Sequence, residues 1–170
     1  MKYILFNFLL YGFLGYLFEI TARFIQGFEL RAGILFYGPF ILIYGLSIAV
    51  IYFLSEKLDN KLNIKKIYKF IFILLISVIL VSVFEFIGGN IIEMAYDDIF
   101  WDYTRFGFNI GIYVSLIVSL FWGMLISVCY FFLKPLTDKI FPKIPEKLII
   151  ISIILLAINM ITKVIVDFII

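Results

Sequence analysis

The chain has 170 residues, of which 65% are hydrophobic, 20% aromatic and 15% charged, with a mean hydropathy of +1.16. A soluble domain is about half apolar and about a quarter charged, so a soluble globular enzyme, a nucleic-acid-binding module and a disordered chain are all excluded. With no histidine and only Cys129, an intrachain disulfide, a Cys/His zinc site, a histidine-based triad and a histidine-ligated haem are excluded as well.

What remains is a single integral membrane domain over residues 1–170, an all-α polytopic helix bundle. Crossing a hydrocarbon core of about 30 Å takes about 20 apolar residues in a helix, and five stretches qualify. The first runs from Tyr3 to about Arg23; Lys2 precedes it as in a signal peptide, but its length and Glu19 mark a retained helix. The second runs from about Gly33 to Leu54, with Pro39 in its first turns, where a missing backbone donor costs little. The third covers about Phe70 to Ile92, the fourth about Ile110 to Leu133, and the fifth about Leu148 to Ile169. The runs are continuously apolar and too long for barrel strands.

The lysines give an orientation. Lys2, the segment with Lys57, Lys61, Lys65, Lys66 and Lys69, and the segment with Lys134, Lys139, Lys143 and Lys147 lie on one side. The positive-inside rule makes that side cytoplasmic, with the N-terminus inside and the C-terminus outside. The opposite loops carry Glu29, Glu93, Asp97, Asp98 and Asp102. Arg23, Arg31 and Arg105 also fall at the outer end. They are either surface charges balancing the acids or forks of donors suited to carboxylate and phosphate.

Glu19 lies 16 residues beyond Tyr3, Glu85 16 beyond Lys69 and Lys163 16 beyond Lys147. At about 1.5 Å per residue each stands about 24 Å up the core. Charges at that depth normally face a partner or a wet cavity. Two readings follow: Glu19, Arg23, Glu85 and Lys163 neutralise one another and lock the bundle, or they line a polar pocket open to the outside. Asn7, Tyr11, Gly15, Glu19 and Arg23 recur every fourth residue on the first helix, as do Glu85, Gly89 and Glu93 on the third and Asn159, Lys163 and Asp167 on the fifth. Such stripes belong inside a bundle.

On the fourth helix Gly107, Gly111, Ser115, Ser119, Gly123 and Ser127 form a small-residue stripe, suited to close intramolecular packing or to a second copy or partner subunit. Trp101, Asp102 and Tyr103 stand just before Arg105 and Asn109 in an outer loop. The aromatics there suit the membrane boundary, and Asp97 with Asp98 is a weak metal signal, so no metal and no cofactor is expected.

One combination is specific. Gly12, Gly15-Tyr16 and Glu19 precede Arg31-x-Gly33, Tyr37-Gly38-Pro39 and Tyr44-Gly45; Glu85, Trp101-Asp102-Tyr103, Asn109-x-Gly111, Trp122-Gly123 and Pro135 follow. This order and spacing, over about residues 8 to 135, resembles the ABC-transporter type IV family of small bacterial multi-span membrane proteins. Phe86 stands where that family often has tyrosine, and Ala32 separates Arg31 from the glycine that more often follows directly. The resemblance implies a permease-like subunit of the bacterial cytoplasmic membrane.

The leading functional expectation is therefore a transporter or permease component with an outward-facing polar pocket. Glu19, Arg23, Arg31, Glu85, Trp101, Asp102, Tyr103 and Asn109 are its candidate substrate-binding or ion-coupling residues. Gly15, Gly38, Pro39, Tyr44, Gly111, Ser115, Ser119 and Gly123 are structural candidates. The alternatives are a membrane enzyme acting on a lipid or lipid-linked substrate, which lacks an evident nucleophile, and a noncatalytic assembly or sensor subunit. The expected partners are the lipid bilayer, a separate ATPase or other membrane subunit, and a second copy of the chain, with no nucleic acid. The chain has no G-x-x-x-x-G-K-[ST] phosphate loop, so any ATP hydrolysis belongs to another subunit. The two lysine segments are candidate docking elements for it, or ordinary basic loops.

Overall fold

A computed structural model describes residues 1–26, 37–61 and 65–169; Arg31, Glu29 and the expected start of the second span near Gly33 lie outside the described residues. Five helices follow in order: α1 (Lys2–Gln26), α2 (Leu42–Lys61), α3 (Lys66–Tyr96), α4 (Leu116–Ile140) and α5 (Glu146–Ile169). Between α3 and α4 lie a 3-10 turn (Thr104–Phe106) and two short antiparallel strands, β1 (Asn109–Ile110) and β2 (Val114–Ser115). Of the described helices, α1, α3, α4 and α5 are long and apolar enough to cross a membrane. The chain is an all-α membrane protein.

The second helix differs from its expected bounds. It starts at Leu42, so Pro39 precedes it rather than occupying its first turns. Residues 37–39 form a bend in which the Phe40 N–H donates to the Gly38 carbonyl at 2.8 Å. Proline restricts the residue before it to extended backbone, which is why the helix waits until the chain has turned. At its far end α2 runs past Leu54 through Glu56, Lys57, Asp59 and Lys61, polar residues that a membrane core would not take.

The helices fall into two compact units. The first comprises Met1–Phe53 with Pro135–Ile170, the second Leu54–Lys134. In the first unit α1 and the start of α2 approach closely because small residues face large rings. A Cβ on Gly12 would fall 2.2 Å from the Phe40 ring, and one on Gly15 2.3 Å from Tyr44. Side chains at those positions would force the helices apart. The Ile41 N–H, which lies before the first turn of α2, donates to the Gly12 carbonyl at 3.1 Å.

At the lysine-rich end of the same unit, hydroxyls cluster. Tyr3 Oη lies 3.1 Å from Thr137 Oγ1 and donates to Asp138 at 2.5 Å. Tyr52 Oη lies 3.4 Å from Thr137 Oγ1 and 3.5 Å from Tyr11 Oη. Lys2 pairs with Glu146 at the surface beside this cluster, and Tyr3 stands edge-on to Phe141 with ring centres 5.1 Å apart.

The second unit is organised by α3. Its buried residues are Ile73, Ser77, Val81, Glu85 and Gly89. They recur every fourth position and so form one straight stripe. Gly123 of α4 meets this stripe's neighbour: its Cβ would stand 2.5 Å from Val78 Cγ2. Ser115, Ser119 and Ser127 are fully buried. The small residues Ser119, Gly123 and Ser127 thus serve close packing inside the unit. Gly107 and Gly111 are not part of that helical stripe, and Ser115 precedes α4 as the last residue of β2.

Candidate functional site

Residues 97–115 form a turn and hairpin that close over the C-terminal end of α3. The helix stops at Asp97, which adopts a left-handed conformation (φ +50°) and whose N–H caps the Glu93 carbonyl at 2.9 Å. Trp101, Asp102, Tyr103 and Asn109 then build the hairpin. Asp102 Oδ1 accepts the Thr104 N–H at 2.7 Å, and Asn109 Nδ2 donates to the Tyr103 carbonyl at 2.6 Å. Trp101 Nε1 donates to the Tyr113 carbonyl at 3.2 Å, and its ring meets that of Tyr113 edge-on. The turn needs glycine at Gly107 (φ +75°) and Gly111 (φ +63°), because positive φ costs a residue with a Cβ. Ser115 Oγ donates to the Gly107 carbonyl at 2.9 Å.

The hairpin delivers two tyrosines to two carboxylates on one face of α3. Tyr103 Oη donates to Glu85 Oε1 at 3.0 Å, and Tyr113 Oη donates to Glu93 Oε2 at 2.8 Å. Gly89, midway between the two acids, is the seat for Tyr113: a Cβ there would lie 2.2 Å from the ring. Burial first, and then the bond to Glu93, push the Tyr113 hydroxyl up to about 12, so it stays a donor at any physiological pH. Asp102 is the opposite case. The Thr104 backbone and hydroxyl, with a smaller contribution from Arg105, hold its carboxyl below the usual carboxylate range.

Glu85 is the innermost acid of this site and only 6% exposed. Ser119 of α4 faces its carboxyl, and Ser82 Oγ donates to Ser119 Oγ at 2.9 Å. Its second oxygen, Oε2, is buried with no hydrogen-bond partner. No lysine or arginine stands against it among the described residues. Glu85, Tyr103, Ser119 and Ser82 therefore form an all-oxygen cluster drawn from α3, the hairpin and α4.

The remaining candidates lie in the first unit. Arg23 Nε donates to Glu19 Oε1 at 3.1 Å, one turn apart on α1, with both side chains about one-third exposed (29% and 31%). Lys163 pairs with Asp167 on its own helix and lies 5.2 Å from the centre of the Tyr37 ring. The Tyr37 N–H donates to Asn159 Oδ1 at 3.0 Å. Glu19 with Arg23 and Lys163 with Asp167 are thus each paired one turn away on the same helix. Gly15 and Tyr44 meet at the α1–α2 contact, and Gly38 and Pro39 form the bend before α2.

The sequence points to Glu85, Trp101, Asp102, Tyr103 and Asn109 as site residues but not to Tyr113 or Ser82. Gly89 and Glu93 were visible only through their fourfold spacing with Glu85. Nothing in the order of residues marks Tyr113 as the partner of Glu93, because the pairing depends on how the hairpin folds back.

A family model described as "Putative ABC-transporter type IV" matches residues 6–168. The match continues through the fifth helix, beyond the 8–135 stretch on which the sequence motifs lie. No curated protein and no solved structure matches the chain.

Proposed function

Since the chain belongs to the ABC-transporter type IV family, we propose that it is a transport component of the bacterial cytoplasmic membrane, with Glu85 as its substrate-binding or ion-coupling carboxylate. The observation that carries this reading is the buried Oε2 of Glu85, which has no hydrogen-bond partner. A carboxylate desolvated without a cation is costly, so the group is neutralised by a proton, a coupling cation or the cargo, each of which serves a coupling carboxylate.

Tyr103 fixes one carboxylate oxygen and leaves the other for the cargo or coupling ion. Trp101, Asp102 and Asn109 act through the hairpin, by holding Tyr103 in place. Glu19 and Arg23 form a second pair, whose role in this reading is to attract and orient charged solutes at the outer face. The lysine segments lie inside, with the N-terminus in and the C-terminus out, and any ATP hydrolysis belongs to a separate subunit.

The test is uptake into proteoliposomes offered an aqueous metabolite extract of bacterial cells, with retained solutes identified by mass spectrometry. Wild-type vesicles should enrich at least one solute that Glu85→Gln vesicles do not. Identical retained sets would remove the basis for this reading.

A further inference from the structure

The donors around Glu85 restrict what can neutralise it. We propose that the Glu85 cluster is a binding site for a dehydrated monovalent metal cation, sodium or potassium, seated on Glu85 Oε2 and the hydroxyl oxygens of Ser82 and Ser119. This rests on the reading of Glu85 as an ion-coupling carboxylate and names the ion.

Three observations carry the assignment. First, every polar side chain at the site is an oxygen donor: the carboxylate of Glu85, the hydroxyls of Ser82 and Ser119, and the phenol of Tyr103. Hard cations take such ligands, whereas softer transition metals seek nitrogen or sulfur. Second, the charge at the site is that of one carboxylate. A divalent ion would leave the buried cluster with a net positive charge. One positive charge cancels one carboxylate and leaves the buried cluster neutral, which a low-dielectric site demands.

Third, the cluster is preorganised. Ser119 is fully buried and held by Ser82, and Tyr103 locks the carboxylate through Oε1. Three elements thus present oxygens while Oε2 is unpartnered. Ser82 donates its proton to Ser119, and both hydroxyl oxygens keep lone pairs for the ion.

The experiment uses the full chain in lipid nanodiscs at fixed pH and ionic strength, with choline chloride replaced stepwise by sodium or potassium chloride. The unfolding temperature of the wild type should rise and saturate with one of the two metal ions. Bound radiolabelled sodium, or rubidium standing in for potassium, should follow the same curve. Glu85→Gln should flatten both responses. Ser119→Ala should shift the curve to higher concentration by on the order of tenfold, the effect of losing one ligand worth about 1.4 kcal/mol.

A wild type indifferent to both ions, with stability that moves only with pH, would overturn the assignment in favour of a proton. So would a Glu85→Gln variant that still binds the ion. Should Glu85→Gln fail to fold, unchanged binding by both Ser82→Ala and Ser119→Ala would also overturn it. These outcomes are separable from the transport reading, which stands or falls on solute uptake whatever the occupant of Glu85.

Discussion

Tyr103 of the hairpin donates its hydroxyl to Glu85 of α3 across 3.0 Å, and so ties an exposed loop to a buried acid on an apolar helix. The two residues are 18 positions apart in sequence, and the contact exists only because the hairpin folds back over the helix. Removing the hydroxyl leaves the ring in place and the carboxylate without its donor. Tyr103→Phe should therefore lower stability by about 1 kcal/mol, the scale of hydrogen bonds in membrane bundles. Thermal unfolding in nanodiscs reads this directly, and an unchanged midpoint would show that the bond contributes nothing.

Gly89 offers a harsher test of the hairpin's seat. A methyl group there would overlap the Tyr113 ring at 2.2 Å, so Gly89→Ala must displace the ring. Overpacking of this kind costs about 1–3 kcal/mol. Trp101 stacks edge-on to Tyr113, so its fluorescence reports the displacement. In a Trp122→Phe background, Gly89→Ala should shift Trp101 emission, and an unshifted spectrum would place the ring elsewhere.

The hairpin should also loosen in acid through Asp102. Its folded carboxyl is held below the ordinary range by Thr104 and Arg105. Folding therefore favours the ionised form, and the contribution is fully present above the ordinary carboxylate range. It is lost as pH falls through that range toward the lower folded value. The protection of the Thr104 amide against hydrogen exchange, corrected for the intrinsic pH dependence of exchange, should fall on acidification in the wild type. In Asp102→Asn that acid-dependent step should be missing.

Glu19 and Arg23 should matter little to stability. Both side chains are about one-third exposed and lie one turn apart, a setting in which helix ion pairs contribute about 0.3–0.5 kcal/mol. A double-mutant cycle with Glu19→Gln and Arg23→Gln should return a coupling of that size. A coupling several times larger would mean the pair is desolvated in the membrane.

The proposed orientation predicts labelling from opposite sides. In a Cys129→Ala background, Lys139→Cys should react with a membrane-impermeant maleimide only in inside-out vesicles, and Arg105→Cys only in right-side-out ones. The reverse pattern would invert the topology and place the Glu85 hairpin inside.

Much of the helical framework was legible because lipid leaves the backbone no alternative to helix. The third helix shows this well: Phe70–Ile92 was readable from hydropathy, and the structure extends it to Lys66–Tyr96. Its buried stripe, Glu85 included, follows from a spacing of four. The second helix was less legible. Its uncharged stretch draws the reading toward the membrane, while the bend at Gly38-Pro39 delays the helix to Leu42. The apparent small-residue stripe from Gly107 misled for a related reason: a period of four describes a helix only where the chain is helical. Gly107 and Gly111 serve positive-φ turns instead.

By itself, then, the sequence determined that this is a helical membrane protein, since so few charges cannot clothe a soluble surface. It also set how far along their helices the acids stand, because helical rise converts residue number into height. Only the tertiary structure decided which acids are satisfied. Glu19 finds Arg23 one turn along its own helix, a pairing that periodicity anticipates. Glu85 meets Tyr103 and Ser119, brought to it by a hairpin and by α4, and retains a buried oxygen without a hydrogen bond. Contacts between distant segments depend on how loops fold back and how closely helices pack, and neither is written in local spacing.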